Sequence, residues 1–325
     1  MSFDLILPFL RPIAHLIQDP DVSEIMVNGS QRVYVERDGV LSHAEGVTVD
    51  ERSLQVAIKN IARILGDDVS EENPILDARL PDGSRVAAVF PPCSLGGTTL
   101  TIRKFQSRLW TCQELIRVGM ITEDLVSLVR IALASGDNVL ISGGTGTGKT
   151  TLLNALVTLV PEADRIVLIE DTAELTVAHS NLVRFEARRA QPDAPAVTVR
   201  DLLKATLRHR PDRIIVGEVR GGEAFDLLQT LNTGHSGSLS TIHANSADQA
   251  LARFASCVLQ SGVELPYPAI RRLISESIDL VLHVERRRGV RSVTQVVCVT
   301  GYDPERDSYD LEEPVASTGE GDVRY

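Results

Sequence analysis

The chain has 325 residues, 43% of them apolar and 24% charged, the make-up of a globular protein with enough mass for one large domain or two moderate ones. Its longest apolar runs, such as Asn138 to Ile141 and Ile278 to Val284, stop well short of the ~20 residues a membrane span needs, which excludes a transmembrane helix. A net charge of -11 repels nucleic-acid phosphates at long range and gives no support for non-specific DNA binding.

At the start of the chain, residues 3–17 are fairly apolar, but Pro8, Pro12 and the early Asp4 with no basic leader do not make a signal peptide. A cytoplasmic protein is expected. Glu24 to Val27 and Val33 to Arg37 read as strands separated by Asn28-Gly29-Ser30, with Asp38-Gly39 as the next turn. Ser53 to Leu65 carries Leu54, Ala57, Ile58, Ile61, Ala62 and Leu65 at the spacing of a helix lying on one sheet face. Pro81-Asp82-Gly83-Ser84 then separates strands Ile75 to Leu80 and Arg85 to Phe90, and Thr98 to Phe105 is a further β-rich run. Together these predict an α+β domain with an antiparallel sheet over residues 1–105.

Residues 106–113 have weak periodicity and read as a linker. From 114 to 316 the pattern changes to alternating strands and helices. Asn138 to Ser142, Arg165 to Ile169, Arg213 to Gly217 and Ser238 to Ile242 are predicted strands. Lys149 to Val160, Val199 to His209 and Gly222 to Leu231 are predicted helices. Such alternation implies an α/β domain with a mainly parallel sheet covered on both faces, whose ligand sits beyond the carboxyl ends of the strands. Arg286-Arg287-Arg288, the one tight basic run, reads as a solvated turn between strands. Residues 317–325 are polar and acidic, with the composition of a disordered tail. The cysteines, Cys93, Cys112, Cys257 and Cys298, form no CxxC pair and are expected to be buried free thiols.

Chemistry enters at Gly143-Gly144-Thr145-Gly146-Thr147-Gly148-Lys149-Thr150, which matches the full phosphate-loop pattern between a predicted strand and a predicted helix. Glycines let backbone N–H groups turn onto an anion, and the helix N-terminus adds its positive end. Lys149 is expected at the β- and γ-phosphates, with the Thr150 hydroxyl on Mg²⁺ and Thr151 continuing the nucleotide-binding segment. No Asn-Lys-x-Asp guanine-reading motif occurs, which favours ATP over GTP. Two later strands deliver glutamates at their carboxyl ends, Glu170 followed by Asp171, and Glu218. A hydrolase uses one carboxylate to orient the attacking water and another to hold Mg²⁺ or its waters; Glu170 is assigned the first role and Glu218 the second. Asp171 and Glu174 are as readily turn or cap residues. His235 and His243 flank the strand 237–242 at a spacing unsuited to a metal, and His243, after a strand of the same sheet, is a candidate for a hydrogen bond to the γ-phosphate or to a catalytic acid.

The ordered motifs resemble those of the type II and type IV secretion ATPases, in the branch serving conjugal transfer, type IV secretion and Flp-type pili. Ile169-Glu170-Asp171-Thr172-Ala173-Glu174-Leu175 is similar to the family's aspartate box. Arg210 to Gly221, with Gly217-Glu218 in place of the usual terminal Asp, resembles its Walker B segment, and Thr233 to Asn245 its histidine box. Leu80-Pro81-Asp82-Gly83-Ser84-Arg85 and Thr101-Ile102-Arg103-Lys104-Phe105 look like its N-terminal segments. The resemblance implies a RecA-like ATPase domain preceded by a smaller PAS-like domain. It further implies that Arg85 and Arg103 act on the nucleotide phosphates, and that Arg208 and Arg220 act near them, across a subunit boundary in some members. A hexameric ring working with inner-membrane components of a secretion, conjugation or pilus machine is the implied assembly, peripheral to the cytoplasmic face of that membrane, with no sequence-specific nucleic-acid binding. The zinc tetracysteine insertion and the Ala-Ile-Arg-Ala-Gly-Glu signature of retraction motors are both missing. Two other classes stay open at this stage: a RecA or helicase-type nucleic-acid motor, disfavoured by 4% aromatic content and the acidic charge, and a non-hydrolysing nucleotide-gated scaffold, disfavoured by the two glutamates.

Overall fold

The computed structural model describes residues 6–29, 31–37, 39–105, 109–188, 190 and 194–314, and the chain divides into two units, Met1–Arg108 and Leu109–Tyr325. The turn positions Ser30 and Asp38, residues 106–108 of the expected linker and the tail at 317–325 lie outside the described residues.

In the first unit, two short 3-10 turns lead into α1 (Ala14–Gln18), followed by β1 (Val22–Asn28), β2 (Val33–Arg37), β3 (Val40–His43), α2 (Glu51–Ile64), β4 (Ile75–Arg79), β5 (Arg85–Val89) and β6 (Thr99–Arg103). The strands form one antiparallel sheet in the order β3-β2-β1-β6-β5-β4. Asp50 caps α2 by accepting from the Ser53 amide, satisfying one of the donors a helix start leaves unpaired. Leu54, Ala57, Ile58, Ile61 and Ala62 of α2 are buried in the same core as Ile25, Val27, Val86, Ala88, Leu100 and Ile102. Strand side chains alternate, so the residues between these core positions stand on the opposite face of the sheet.

The second unit opens with α3 (Cys112–Arg117), which starts inside the segment read as a linker. A reciprocal capping box between Thr111 and Glu114 nucleates it, and Cys112 and Leu115 anchor it in the core, a signal too short to register as periodicity. There follow α4 (Glu123–Ser135), β7 (Val139–Gly143), α5 (Lys149–Val157), β8 (Ile166–Glu170), β9 (Leu182–Glu186), α6 (Val199–Thr206), β10 (Arg213–Val219), α7 (Glu223–Leu231), β11 (Leu239–His243), α8 (Ala247–Leu259), α9 (Tyr267–Ser277), β12 (Leu280–Arg287), β13 (Val290–Asp303) and β14 (Ser308–Glu312). The sheet order is β14-β13-β12-β7-β11-β10-β8-β9. From β12 to β9 every neighbouring pair is parallel, and the antiparallel pairings are those of β13 with β12 and with β14. The fold is α/β with a mainly parallel sheet.

Both faces of this sheet are covered. Val139, Ile141, Ile166, Leu168 and Ile215 join one core with α4 and α5. Leu140, Val167, Ile169, Ile214 and Val216 join a second with α7, α8 and α9. Alternate residues of a single strand thus serve opposite cores, which is why the strands are apolar throughout. The basic run falls at the end of β12 and into its turn with β13, where Arg288 and Gly289 take φ of 50° and 87°. All four cysteines are free; Cys112 and Cys257 are buried and Cys298 half-buried, whereas Cys93 is exposed, contrary to expectation. Among the described residues no helix is long and apolar enough to cross a membrane.

Phe254 on α8 is fully buried in the second of these cores. Phe254→Ala is expected to destabilise this unit by about 3–5 kcal/mol, seen as an earlier unfolding transition in denaturant titration; an unchanged midpoint would mean that α8 is not packed as described.

Candidate active site

The carboxyl ends of β7, β8, β10 and β11 lie together because these strands are parallel neighbours. Gly143 closes β7 and pairs with both His243 of β11 and Val284 of β12. A side chain at Gly143 would collide with the Val284 carbonyl oxygen and come within 2.7 Å of Thr147 Oγ1, so close strand packing requires glycine there. From Gly144 the chain turns through Thr145, Gly146, Thr147 and Gly148 into α5, whose N-cap residue Gly148 has φ of 100° and provides no side-chain cap. The loop is held from inside by Thr147 Oγ1, which donates to Gly144 O at 2.9 Å. The first amides of α5 have no helical acceptor and carry the positive end of the helix dipole. Thr150 and Thr151, half-buried in that first turn, are placed beside them.

Lys149 is only 7% exposed. Its ammonium donates to Gly143 O at 2.9 Å and Gly144 O at 2.8 Å and lies 3.2 Å from His243 Nδ1. Burial lowers the Lys149 pKa, with the nearby Glu218 charge opposing that shift. A lysine has only donors, so Nδ1 of His243 must accept and the proton of the neutral ring sits on Nε2. Nε2 is 2.6 Å from Glu218 Oε1. That contact is short but poorly aligned, for Oε1 is buried without a well-directed donor. His243 therefore stands between the loop lysine and the glutamate of β10. Burial first, and the Lys149 charge second, lower its pKa, so the ring is neutral at neutral pH.

The other oxygen of Glu218 is engaged by Arg220, whose Nε and Nη2 lie 2.7 and 2.6 Å from Oε2. Arg220 also reaches Asp171 at 3.4 Å. Glu170 is placed differently. It is 3% exposed, and its Oε1 accepts from the amides of Glu174 and Leu175 at 2.7 and 2.8 Å, while Oε2 lies 3.4 Å from Arg184. A side chain at Gly217 would crowd Glu170 Cγ at 3.1 Å, so the glycine before Glu218 makes room for the Glu170 side chain. Burial raises the Glu170 pKa and the two amides oppose that shift. Glu170 thus folds the segment that follows it back on itself, and Glu218 is the carboxylate with an uncommitted oxygen.

Not every residue singled out in the sequence is brought to this cluster. His235 precedes β11 and Arg208 follows α6 ahead of β10, so both sit at the amino ends of the strands, away from the phosphate loop of their own chain. Arg208 is exposed. In the first unit, Arg85 and Arg103 are direct cross-strand partners, and Arg79 is the partner of Arg85 on its other side. The three arginines form a row on the face of that sheet opposite α2. Glu24 and Glu36 extend the row beyond Arg103. Arg79 went unremarked in the sequence because no motif marks it; only the register of β4 against β5 reveals it. Like charges directly opposite one another destabilise a ladder unless an anion or carboxylate balances them.

Comparison with known proteins identifies relatives of nearly the whole chain. The family described as Type II/IV secretion system protein matches residues 10–299. The chain is 38% identical to the conjugal transfer protein TrbB of Rhizobium radiobacter over 88% of its own length and 86% of that protein. It is 38% identical to the type IV secretion system protein PtlH of Bordetella pertussis over 91% of its length and 94% of that protein. Among solved structures, the Legionella pneumophila ATPase DotB superposes with a TM-score of 0.64 at 19% identity, covering 92% of this chain and 82% of DotB, a likeness of fold.

The His243 contacts generate a pH dependence. Its pKa lies below the ordinary value of about 6.5, so the ring keeps Nδ1 open to Lys149 above that pH. Protonation below it occupies Nδ1 and sets a second cation beside Lys149. Turnover of ATP is expected to fall on the acid side below pH about 6.5. In His243→Asn, whose amide oxygen still accepts from lysine but does not titrate, this acid limb should be lost. A pH–rate profile checks this; identical limbs in the two proteins would remove His243 as its origin.

Proposed function

Because the chain belongs to the type II/IV secretion system protein family, we propose that it is the ATP-hydrolysing motor of a secretion, conjugal-transfer or pilus-assembly machine. The observation that carries this reading is the continuous contact from the phosphate-loop lysine through His243 to Glu218. It joins the group assigned to the β- and γ-phosphates to a carboxylate whose Oε1 lacks a well-directed donor.

ATP binds with its phosphates over the loop from Gly143 to Thr151, cradled by backbone amides and the start of α5. Lys149 exchanges its two carbonyl acceptors for phosphate oxygens and stabilises the charge that grows on them during transfer. Glu218, held on one side by Arg220 and flanked by His243, takes a hydrogen bond from the attacking water and orients it. Glu170 serves this step by fixing the segment up to Leu175. In nucleotide sites Mg²⁺ is held by one or two protein groups together with substrate phosphate oxygens. Thr150, and Glu218 through water, are the residues that would hold it, and the uncommitted Glu218 Oε1 fits a hard cation or its water. When bound, Mg²⁺ neutralises charge on the β- and γ-phosphates.

The family resemblance assigns Arg85 and Arg103 a charge-stabilising role on the phosphates. The working form is a homo-oligomer, a hexameric ring at the cytoplasmic face of the inner membrane, engaging membrane components of its machine. Arg208, out of reach of its own loop, suits a role on a neighbouring subunit's nucleotide. Net charge of -11 and 4% aromatic residues disfavour a nucleic-acid channel.

Phosphate release with Mg²⁺ present tests the assignment. Lys149→Ala is expected to lower kcat by about 100-fold or more. Glu218→Gln should retain ATP binding and lose turnover to a similar extent, since the amide keeps the shape but cannot act as a base. Near-normal turnover in folded Lys149→Ala protein would exclude the loop as the active site.

A further inference from the structure

The hairpin of β12 and β13 runs past the end of the parallel sheet. β12 last pairs with β7 at Val284 opposite Gly143, but its ladder with β13 continues through Glu285 with Ser292, Arg286 with Arg291 and Arg287 with Val290. Residues 285–292 therefore stand beside the phosphate loop. From this hairpin Arg291 Nε donates to Gly146 O at 3.2 Å, and its Cδ would lie 3.4 Å from a side chain at Gly148. The base of the hairpin is fixed by Val293 N donating to Met120 O at 2.9 Å, and Met120 Cε packs toward Gly148 as well.

Arg287 is neutralised by Glu285 at 2.5 Å. Arg291 forms no ion pair among the described residues, and only its Nε is committed, to a loop carbonyl. A second arginine, Arg286, is directly opposite it in the ladder. A guanidinium fixed by its Nε at the tip of a phosphate loop has two terminal nitrogens left for a phosphate oxygen.

Strand order says which phosphate. β11 and β10, which bring His243 and Glu218, lie on one side of β7, and β12 lies on the other. With the γ-phosphate directed to His243 and Glu218, the α-phosphate and the nucleoside leave toward β12. We propose that Arg291 is a nucleotide-positioning residue that binds the α-phosphate of nucleoside di- and triphosphates from the β12–β13 hairpin. This rests on the loop being the ATP site and adds the contact that holds the end of the nucleotide remote from hydrolysis.

Calorimetric titration of the full chain with ADP and with a non-hydrolysable ATP analogue, in the presence of Mg²⁺, tests it. Arg291→Ala should weaken both ligands by the same factor, about 10-fold, and raise KM more than it lowers kcat. Arg291→Lys should recover part of the affinity because it keeps a cation. Arg291→Gln, which can still donate to Gly146 O but has no charge, should not. Recovery with glutamine would show that Arg291 only pins the loop, and a loss confined to the ATP analogue would place it at the γ-phosphate; either result, or unchanged ADP affinity in Arg291→Ala, overturns the proposal. Failure of the unaltered chain to bind ADP would instead remove the phosphate-loop assignment, and this proposal with it.

Discussion

A lysine ammonium buried at the end of a β-strand, with no carboxylate paired to it among the described residues, is the constraint on which the site depends. Lys149 donates to two loop carbonyls and lies against one imidazole nitrogen, and burial lowers its pKa although the nearby Glu218 charge opposes that shift. Desolvating a charge with no directly paired counter-charge is costly. Under the proposed function phosphate oxygens lower that cost, and the folded chain holds part of its affinity for a polyphosphate as an incompletely compensated cation. The surrounding glycines let the backbone approach closely enough to make that arrangement possible.

Sheet topology converts this local feature into a polar axis. The phosphate-loop strand lies inside the parallel array, with the acid and imidazole of β10 and β11 on one flank and the arginine-bearing hairpin of β12 and β13 on the other. A parallel sheet brings all its carboxyl ends to one edge, so side chains far apart in sequence meet around one ligand. Glu170 and Glu218, at equivalent ends of β8 and β10, diverge in role because of their surroundings. Glu170 is consumed by two backbone amides, and Glu218 keeps one oxygen without a directed donor.

Much of this was legible in the sequence. The eight-residue pattern marked the glycine-rich loop between β7 and α5, and strand and helix periodicity located β7, β8, β10 and β11, because buried parallel strands are apolar along their whole length. The convergence of His243 on Glu218 was anticipated as one of two options, since both follow strands of the same sheet. Pairing across long separations was not legible. Arg291 reaches Gly146 from 145 positions away, and Arg79 joins Arg85 only through antiparallel register. Neither is marked by a motif. By sequence alone Glu170 takes the attacking water and Glu218 the cation, and no motif foretells that the backbone of residues 174 and 175 turns back on Glu170 and takes up one of its oxygens. α3 was missed because a two-turn helix offers too few apolar repeats, although its Thr111 and Glu114 capping pair was present in the sequence.

The structure of the full chain with a non-hydrolysable ATP analogue and Mg²⁺ would test most directly the claim that Lys149 is held in reserve for a polyphosphate. Lys149 Nζ should leave the Gly143 and Gly144 carbonyl oxygens, now 2.9 and 2.8 Å away, for β- and γ-phosphate oxygens, with His243 and Glu218 turned to the γ-phosphate. A nucleotide bound elsewhere, with Lys149 still on the two carbonyls, would contradict it.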